Sequence, residues 1–181
     1  MGGGDRTKGS CSSLAFGYIG NRNGIDVLDF RGGSSCNFFS MNGNIRKIAN
    51  LDGVKSFVAK NENDFKSAIE VLKKVEDGKE YYFATGNHAS IVRKTEKGFE
   101  YLELQTNGEN WFKKLTKQEL KERFGCKKTH SISGIKVETS SVLIDANSLG
   151  GSDEFLDLLG YINTSRKTQM KGISGYAKWF F

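Results

Sequence analysis

A tight turn at Thr95-Glu96-Lys97-Gly98 constrains the fold more than any other feature of this 181-residue sequence. Extended patterns flank the turn: the residues from His88 to Val92 are typical of one strand, and those from Phe99 to Gln105 of the next. A connection this short joins neighbouring strands only in the antiparallel sense, because a parallel pair needs a crossover of about a dozen residues or more. The sequence therefore predicts an antiparallel sheet in which the strand of His88 lies beside the returning strand.

Apolar residues at helical spacing occur on both sides of these strands. The clearest pattern covers 63–76, and a short helix is predicted to start after Ser10, which would cap it and leave Cys11 at the first helical position. Further helices are expected at 43–51, 117–124 and 152–162, and further strands at 54–58 and 141–144. This order of elements predicts an α+β fold in which N-terminal helices pack on a small antiparallel sheet.

The turns and the charge show what is unusual in the composition. The chain has 22 Gly and no Pro, so its turns depend on Gly, Asn, Asp and Ser. Its net charge is +6, and the surplus of Lys and Arg within 113–136 accounts for all of it. That segment could bind an acidic partner such as nucleic acid, but a solvated face is the interpretation we favour. Trp111 and Phe112, just before it, are expected to begin a helix that packs into the core.

The length and composition predict one folded domain without a membrane segment. A hydrophobic content of 37% can fill a core, and no apolar run is long enough to cross a bilayer. We expect 1–9 to be a flexible lead-in, 10–163 the domain, and 164–181 a basic, mobile tail. Because there is no signal-peptide pattern, we expect a cytoplasmic location. The three cysteines lack the spacing of a disulfide framework or a zinc site, and we expect no metal and no cofactor.

Four residues combine into a candidate nucleophilic site. Cys11 lies at a predicted helix start, where unpaired amides and the helix dipole favour the thiolate over the thiol. His88 begins a strand, and a neutral imidazole is the base that such a nucleophile needs. Glu103 and Gln105 share one face of the returning strand, and either could accept a hydrogen bond from the His88 ring and orient it. The pattern predicts a Cys-His-Glu/Gln triad.

These motifs resemble those of the papain-like cysteine peptidases, and most of all those of the bacterial papain-fold toxins. Cys11 opens the first helix, as the nucleophile does in that family. Residues 86–92 are similar to the family's His strand, which reads Gly-x-His-Ala-hydrophobic. Glu103-Leu104-Gln105 is similar to its Asp-x-Gln motif, with Glu in place of Asp. The resemblance covers 9–20 and 80–106.

The resemblance implies that 10–163 is a papain-like catalytic domain and that the protein is a thiol hydrolase. Cys11 would attack a peptide, isopeptide or glutamine side-chain amide of a protein or peptide substrate, and His88 would move the proton through an acyl-enzyme. Papain-type enzymes carry an oxyanion-hole Gln shortly before the Cys, and this chain has none between Met1 and Ser10. The Cys11 amide would be one donor, and Asn87 or a group within 5–7 could be the other.

Two other functions stay open at this level. The basic segment 113–136 and the basic tail are consistent with a non-enzymatic nucleic-acid-binding or virion-associated module. A papain-like fold whose catalysis has decayed could also serve as a binding scaffold. A cysteine taken alone is more often a packing residue than a nucleophile, and we expect Cys36 and Cys126 to be structural and His130 to be exposed. The sequence sets no oligomeric state.

Overall fold

The computed structural model describes residues 10–25, 27, 38–105 and 111–162. The predicted lead-in at 1–9, the predicted tail at 164–181 and Cys36 lie outside the described residues. The helices are α1 (Cys11–Arg22), α2 (Asn42–Ala49), α3 (Asp64–Leu72), α4 (Lys117–Glu122), α5 (Ala146–Gly150) and α6 (Asp153–Ile162). The strands are β1 (Ser56–Asn61), β2 (Glu80–Thr85), β3 (His88–Thr95), β4 (Gly98–Leu102), β5 (Phe112–Lys114), β6 (Ser131–Ile132), β7 (Ile135–Lys136) and β8 (Thr139–Asp145).

Six of these strands form one sheet in the order β1-β8-β2-β3-β4-β5. Every neighbouring pair is antiparallel. Strands β2, β3 and β4 follow one another through two hairpins, which pair Thr85 with His88 and Thr95 with Gly98. Strand β8 inserts between β1 and β2, while β6 and β7 form a separate hairpin. The predicted α+β class and the antiparallel return at 95–98 are confirmed.

Helices cover both faces of the sheet because its central strands are apolar on both sides. Tyr82 of β2 belongs to one core, and its neighbours Tyr81 and Phe83 belong to the other, since successive side chains of a strand point to opposite faces. Helices α1, α2, α5 and α6 supply the first core, whereas α3 and α4 supply the second. The helix that carries Cys11 thus packs against the sheet's face.

Aromatic packing and one buried hydrogen bond hold α1 in place. The Phe16 ring stacks on Tyr82 with the ring centroids 4.4 Å apart, and the Ser12 hydroxyl lies 2.8 Å from the Tyr82 hydroxyl. At the other end of α1, a Cβ on Gly20 would lie 2.6 Å from Leu159 Cδ1 of α6, so the two helices approach closely. These contacts set where the first residue of α1 lies over the sheet.

Some predicted boundaries and one predicted element differ from the structure. The helix expected over 63–76 ends at Leu72, and the returning strand ends at Leu102. The prediction of a core-packed helix that begins at Trp111 and Phe112 is wrong. Phe112 begins β5, and Trp111 is 47% exposed. Strand β5 pairs with β4. Without β5, β4 would be the edge of the sheet and would expose a row of unpaired backbone groups. Within the described ranges, none of the helices combines the length and hydropathy of a bilayer span.

Candidate functional site

A cavity of about 510 Å³ opens where the start of α1 meets the β2–β3 hairpin. Cys11 and His88 both line it, each as the first residue of its element, α1 and β3 respectively. The backbone amide of Ala89 lies close enough to the Cys11 sulfur to lower the pKa of the thiol, so the thiol lies beside the residue that directly follows His88. Two of the predicted site residues, far apart in the chain, therefore share one cavity.

The hairpin turn that positions His88 depends on Gly86. This residue has φ of +56°, as the first central position of a type II′ hairpin turn requires. A Cβ on Gly86 would lie 2.3 Å from the carbonyl oxygen of Phe124. The Asn87 amide donates to that same oxygen at 2.8 Å. The turn is therefore docked on the segment that follows α4, at a distance that only glycine permits.

The Cys11 thiol is favoured in its neutral form. Burial raises the pKa of Cys11 above its ordinary value, and it outweighs the hydrogen bonds from the Ala89 and Ser12 amides and the positive charge of Arg123, which lower it. The sequence predicted the opposite direction, from the helix start alone. That prediction is wrong for the resting protein. Burial destabilises the thiolate by more than the nearby amides and the Arg123 charge stabilise it.

His88 is also neutral near pH 7. The residue is 8% exposed, and its ring packs edge-on against the Phe124 ring, with 4.9 Å between the ring centroids. Burial, together with the positive charge of Arg123, lowers the pKa of His88 to about 3, while the charge of Glu103 opposes that shift. The imidazole is therefore unprotonated near pH 7, as a general base must be, and the same shift makes it a weaker base in the resting protein than an ordinary histidine.

Glu103 and Gln105 lie outside the lining of the cavity, and Arg123 binds both. The Arg123 guanidinium donates from Nε and Nη2 to the two oxygens of the Glu103 carboxylate, each at 2.7 Å, and from Nη2 to Gln105 Oε1 at 3.1 Å. In the part of the chain that the structure describes, neither side chain accepts a hydrogen bond from His88. Glu103 therefore acts on the imidazole through its charge, and the predicted direct contact is absent.

Gln105 contacts the start of the nucleophile helix. Its Nε2 donates to the Ser10 hydroxyl at 2.9 Å, directly before Cys11. Ser10 precedes α1 as predicted, but its backbone is already helical and its side chain makes no capping hydrogen bond. The network from Arg123 through Gln105 to Ser10 thus ties the end of α4 to the start of α1.

Arg123 is the site residue that the sequence reasoning missed, because it was counted with the basic segment 113–136. Burial raises the pKa of Glu103, but the hydrogen bonds from Arg123 and the Gln105 amide outweigh it, so this pKa lies below its ordinary value. At 2% exposure, the carboxylate needs a paired cation. The signal that could have found Arg123 is this pairing rule, applied to a glutamate predicted to share a strand face with Tyr101.

The other residues singled out from the sequence lie elsewhere. His130, expected to be exposed, is partly buried, and its Nε2 lies 2.7 Å from Asp64 Oδ2. Cys126 is buried, and burial raises the pKa of its thiol to about 11, as expected of a structural cysteine. Lys136, in the basic segment, lies 3.8 Å from a carboxylate oxygen of Glu62.

None of the protein-family models, curated proteins or solved structures that were compared matches this chain. Among the described residues, no cluster of three or more His, Cys, Asp or Glu side chains could hold a metal ion. The chemistry of the site therefore rests on its own geometry: a thiol and a neutral imidazole line one cavity, and the charges of the Arg123–Glu103 ion pair outside the lining act on the imidazole.

Proposed function

We propose that this protein is a thiol hydrolase of papain-like fold, with Cys11 as the nucleophile and His88 as the general base. The observation that carries the proposal is that the first residue of α1 and the first residue of β3 line the same cavity. The sequence motifs support it as well, since their order along the chain resembles that of the papain-like peptidases. The substrate is a peptide, an isopeptide or a glutamine side-chain amide.

The reaction begins with a neutral pair. A ring nitrogen of His88 accepts the thiol proton while Cys11 Sγ bonds to the carbonyl carbon of the amide. The carbonyl oxygen becomes an oxyanion, for which the Cys11 amide is one donor; Asn87, which lines the cavity, is the candidate for the second. His88 then gives its proton to the leaving amine as the C–N bond breaks. Water, deprotonated by His88, cleaves the thioester and releases a carboxylic acid and the free thiol.

The buried ion pair places opposite charges beside the two groups that exchange this proton. The Arg123 charge lowers the pKa of Cys11, which favours the developing thiolate. The Glu103 charge raises the pKa of His88 and so favours the developing imidazolium, and it offsets part of the larger opposite effect that the Arg123 charge has on the same ring. The third residue of a catalytic triad orients the imidazole and stabilises its positive charge. Glu103 performs the second of these tasks through its charge, without a hydrogen bond to His88. Gln105 links Arg123 to Ser10, directly before α1.

Replacement of either reacting residue tests the proposal. Cys11→Ala and His88→Ala are each expected to lower amide hydrolysis by about 10³-fold or more, because nucleophile and base act as one unit. Casein and a glutamine-containing peptide library serve as substrates. New amino termini report peptide cleavage and released ammonia reports deamidation, so the two assays also separate these reactions.

Cys126→Ala is the matched control, since it removes a buried cysteine that does not line the cavity. It should keep the wild-type rate if it folds, which circular dichroism establishes for every variant. Full activity in a folded Cys11→Ala or His88→Ala variant contradicts the proposal. A folded wild-type protein that is inactive in both assays contradicts it too, and indicates the binding-scaffold alternative.

A further inference from the structure

One wall of the Cys11 cavity is formed by α2, which contributes Asn42, Ile45 and Arg46. Among the described residues that line the cavity, Arg46 alone is charged at neutral pH. The other polar side chains that line the cavity are neutral: serine and threonine hydroxyls, the Asn42 and Asn87 amides, the Cys11 thiol and the His88 imidazole. No carboxylate of the described chain lines this cavity, so the Arg46 guanidinium meets no opposite charge among the lining residues.

Arg46 differs from the other described arginines in its partners. Arg22, Arg93 and Arg123 each form an ion pair with a glutamate, at 2.6 to 2.8 Å. Arg46 forms none with a described residue; its Nε donates only to the Asn42 carbonyl at 3.4 Å. That bond spans one helical turn and leaves the two terminal nitrogens of the guanidinium available. Those nitrogens are the planar pair of donors that binds a carboxylate through two parallel hydrogen bonds.

We propose that Arg46 binds a carboxylate of the substrate, so that the enzyme selects amides with an acidic group close to the carbonyl that Cys11 attacks. This inference rests on the proposed function and names its substrate class: acidic peptides. The cavity volume lies in the range that holds a small ligand or a short peptide. A substrate carboxylate in it would complete the ion pair that Arg46 lacks within the described chain.

The test uses chloroacetyl peptides, which alkylate a thiol without any turnover. Chloroacetyl-Gly-Asp-amide carries a side-chain carboxylate, chloroacetyl-Gly-Asn with a free terminus carries an α-carboxylate, and chloroacetyl-Gly-Asn-amide carries none. Rates at Cys11 are measured at pH 8.5 by peptide mass spectrometry. We expect at least one acidic reagent to react about 5-fold faster than the neutral one, the size of a charged hydrogen bond that is partly exposed to water. The two acidic reagents distinguish an internal acidic residue from a peptide's C-terminus.

Matched variants assign the preference to one side chain. Arg46→Gln should bring the ratio of acidic to neutral rates close to 1, and Arg46→Lys should keep part of it. Lys47→Gln removes the same charge from the next residue of α2, which does not line the cavity, and should leave the ratio unchanged. In the wild type, 0.5 M salt should reduce the ratio by screening.

The outcomes separate the two proposals. If Cys11 reacts equally fast with all three reagents, or if the preference survives in Arg46→Gln, the acidic-substrate inference is overturned while Cys11 keeps its role. If Cys11 reacts with none of them while it reacts in the urea-unfolded chain, the thiol is inaccessible and both proposals fall. If the preference is present but Cys11→Ala still hydrolyses amides, the proposed function fails and the binding site for a carboxylate stands.

Discussion

At the scale of single residues, burial and one cation determine the chemistry of the site. Arg123 keeps the buried Glu103 ionised, and its charge also acts on Cys11 and His88. The two reacting groups are neutral because folding removes much of the water around each of them, which penalises the charged form. A position at a helix start is therefore not enough to make Cys11 a thiolate. The burial that keeps the thiol neutral comes from distant segments, so the local sequence around Cys11 could not reveal it.

The neutral state of His88 has a consequence for stability against acid. Its pKa is lowered from 6.5 in the unfolded reference to about 3 in the folded protein. Between these values the unfolded chain binds the proton more tightly, so the stabilisation is present above pH 6.5 and is lost as the pH falls toward 3. At pH 4.5 the loss from this residue is about 2 to 3 kcal/mol.

Urea unfolding at pH 7 and pH 4.5 measures this contribution. His88→Gln has no titrating ring, so its free energy of unfolding should fall by about 2 to 3 kcal/mol less over this interval than that of the wild type. Carboxylates are common to both proteins and cancel in the comparison. The same pH dependence in both would show that the His88 ring is solvated when the protein is folded.

At the scale of elements, glycines make the turns of a chain without proline, and each hairpin uses them differently. In the β6–β7 hairpin, Ser133 and Gly134 both have positive φ, the pattern of a type I′ turn. In the β2–β3 hairpin, Gly86 supplies a positive φ and also leaves room for the Phe124 carbonyl. That second requirement links the turn before His88 to the segment after α4.

Alanine substitutions separate these two requirements. Gly86→Ala is expected to lower the free energy of unfolding by about 3 kcal/mol or more, because it adds an overlap with Phe124 to the backbone strain. Gly78→Ala is the matched control: φ is +74° and nothing lies within 4 Å of the added Cβ, so it should cost about 1 to 2 kcal/mol. Chemical denaturation compares them. Equal losses would mean that the Gly86 turn does not press on Phe124 in solution.

At the scale of the whole molecule, the sheet separates two cores and one buried hydrogen bond joins α1 to its centre. Ser12 and Tyr82 are both buried, and their hydroxyls lie 2.8 Å apart although they are distant in sequence. Because Ser12 directly follows Cys11, this bond also positions the nucleophile. Burial raises the pKa of Tyr82 far above its ordinary value, so its hydroxyl stays protonated and can donate.

A double-variant cycle measures this connection. Tyr82→Phe should lower the free energy of unfolding by about 1 to 2 kcal/mol, since it leaves a buried serine hydroxyl without its partner. Ser12→Ala combined with Tyr82→Phe should cost less than the sum of the single variants, with a coupling of about 1 kcal/mol. Tyr81→Phe is the control from the other core, because its hydroxyl accepts only a long 3.4 Å hydrogen bond from the Glu76 amide. A coupling near zero would contradict the buried bond.

Local patterns were sufficient for elements that depend on neighbours in sequence. The α1 start at Cys11, the return at 95–98 and most of the helix over 64–72 follow from turn residues and apolar spacing. The same approach failed at Phe112, since a short strand at the edge of a sheet forms through backbone bonds to β4. Such pairing leaves little periodicity in a three-residue strand.

By itself, the sequence determined that Cys11 begins a helix, that His88 begins the first of two joined antiparallel strands, and that Glu103 lies close to the end of the second, because turns and periodicity act over a few residues. Only the tertiary structure decided that β8 lies between β1 and β2, that Arg123 binds Glu103, and that Arg46 lines the cavity of Cys11. It also decided the protonation of Cys11 and His88. These outcomes depend on burial and on charges supplied by distant segments, and both exist only once the layers pack together.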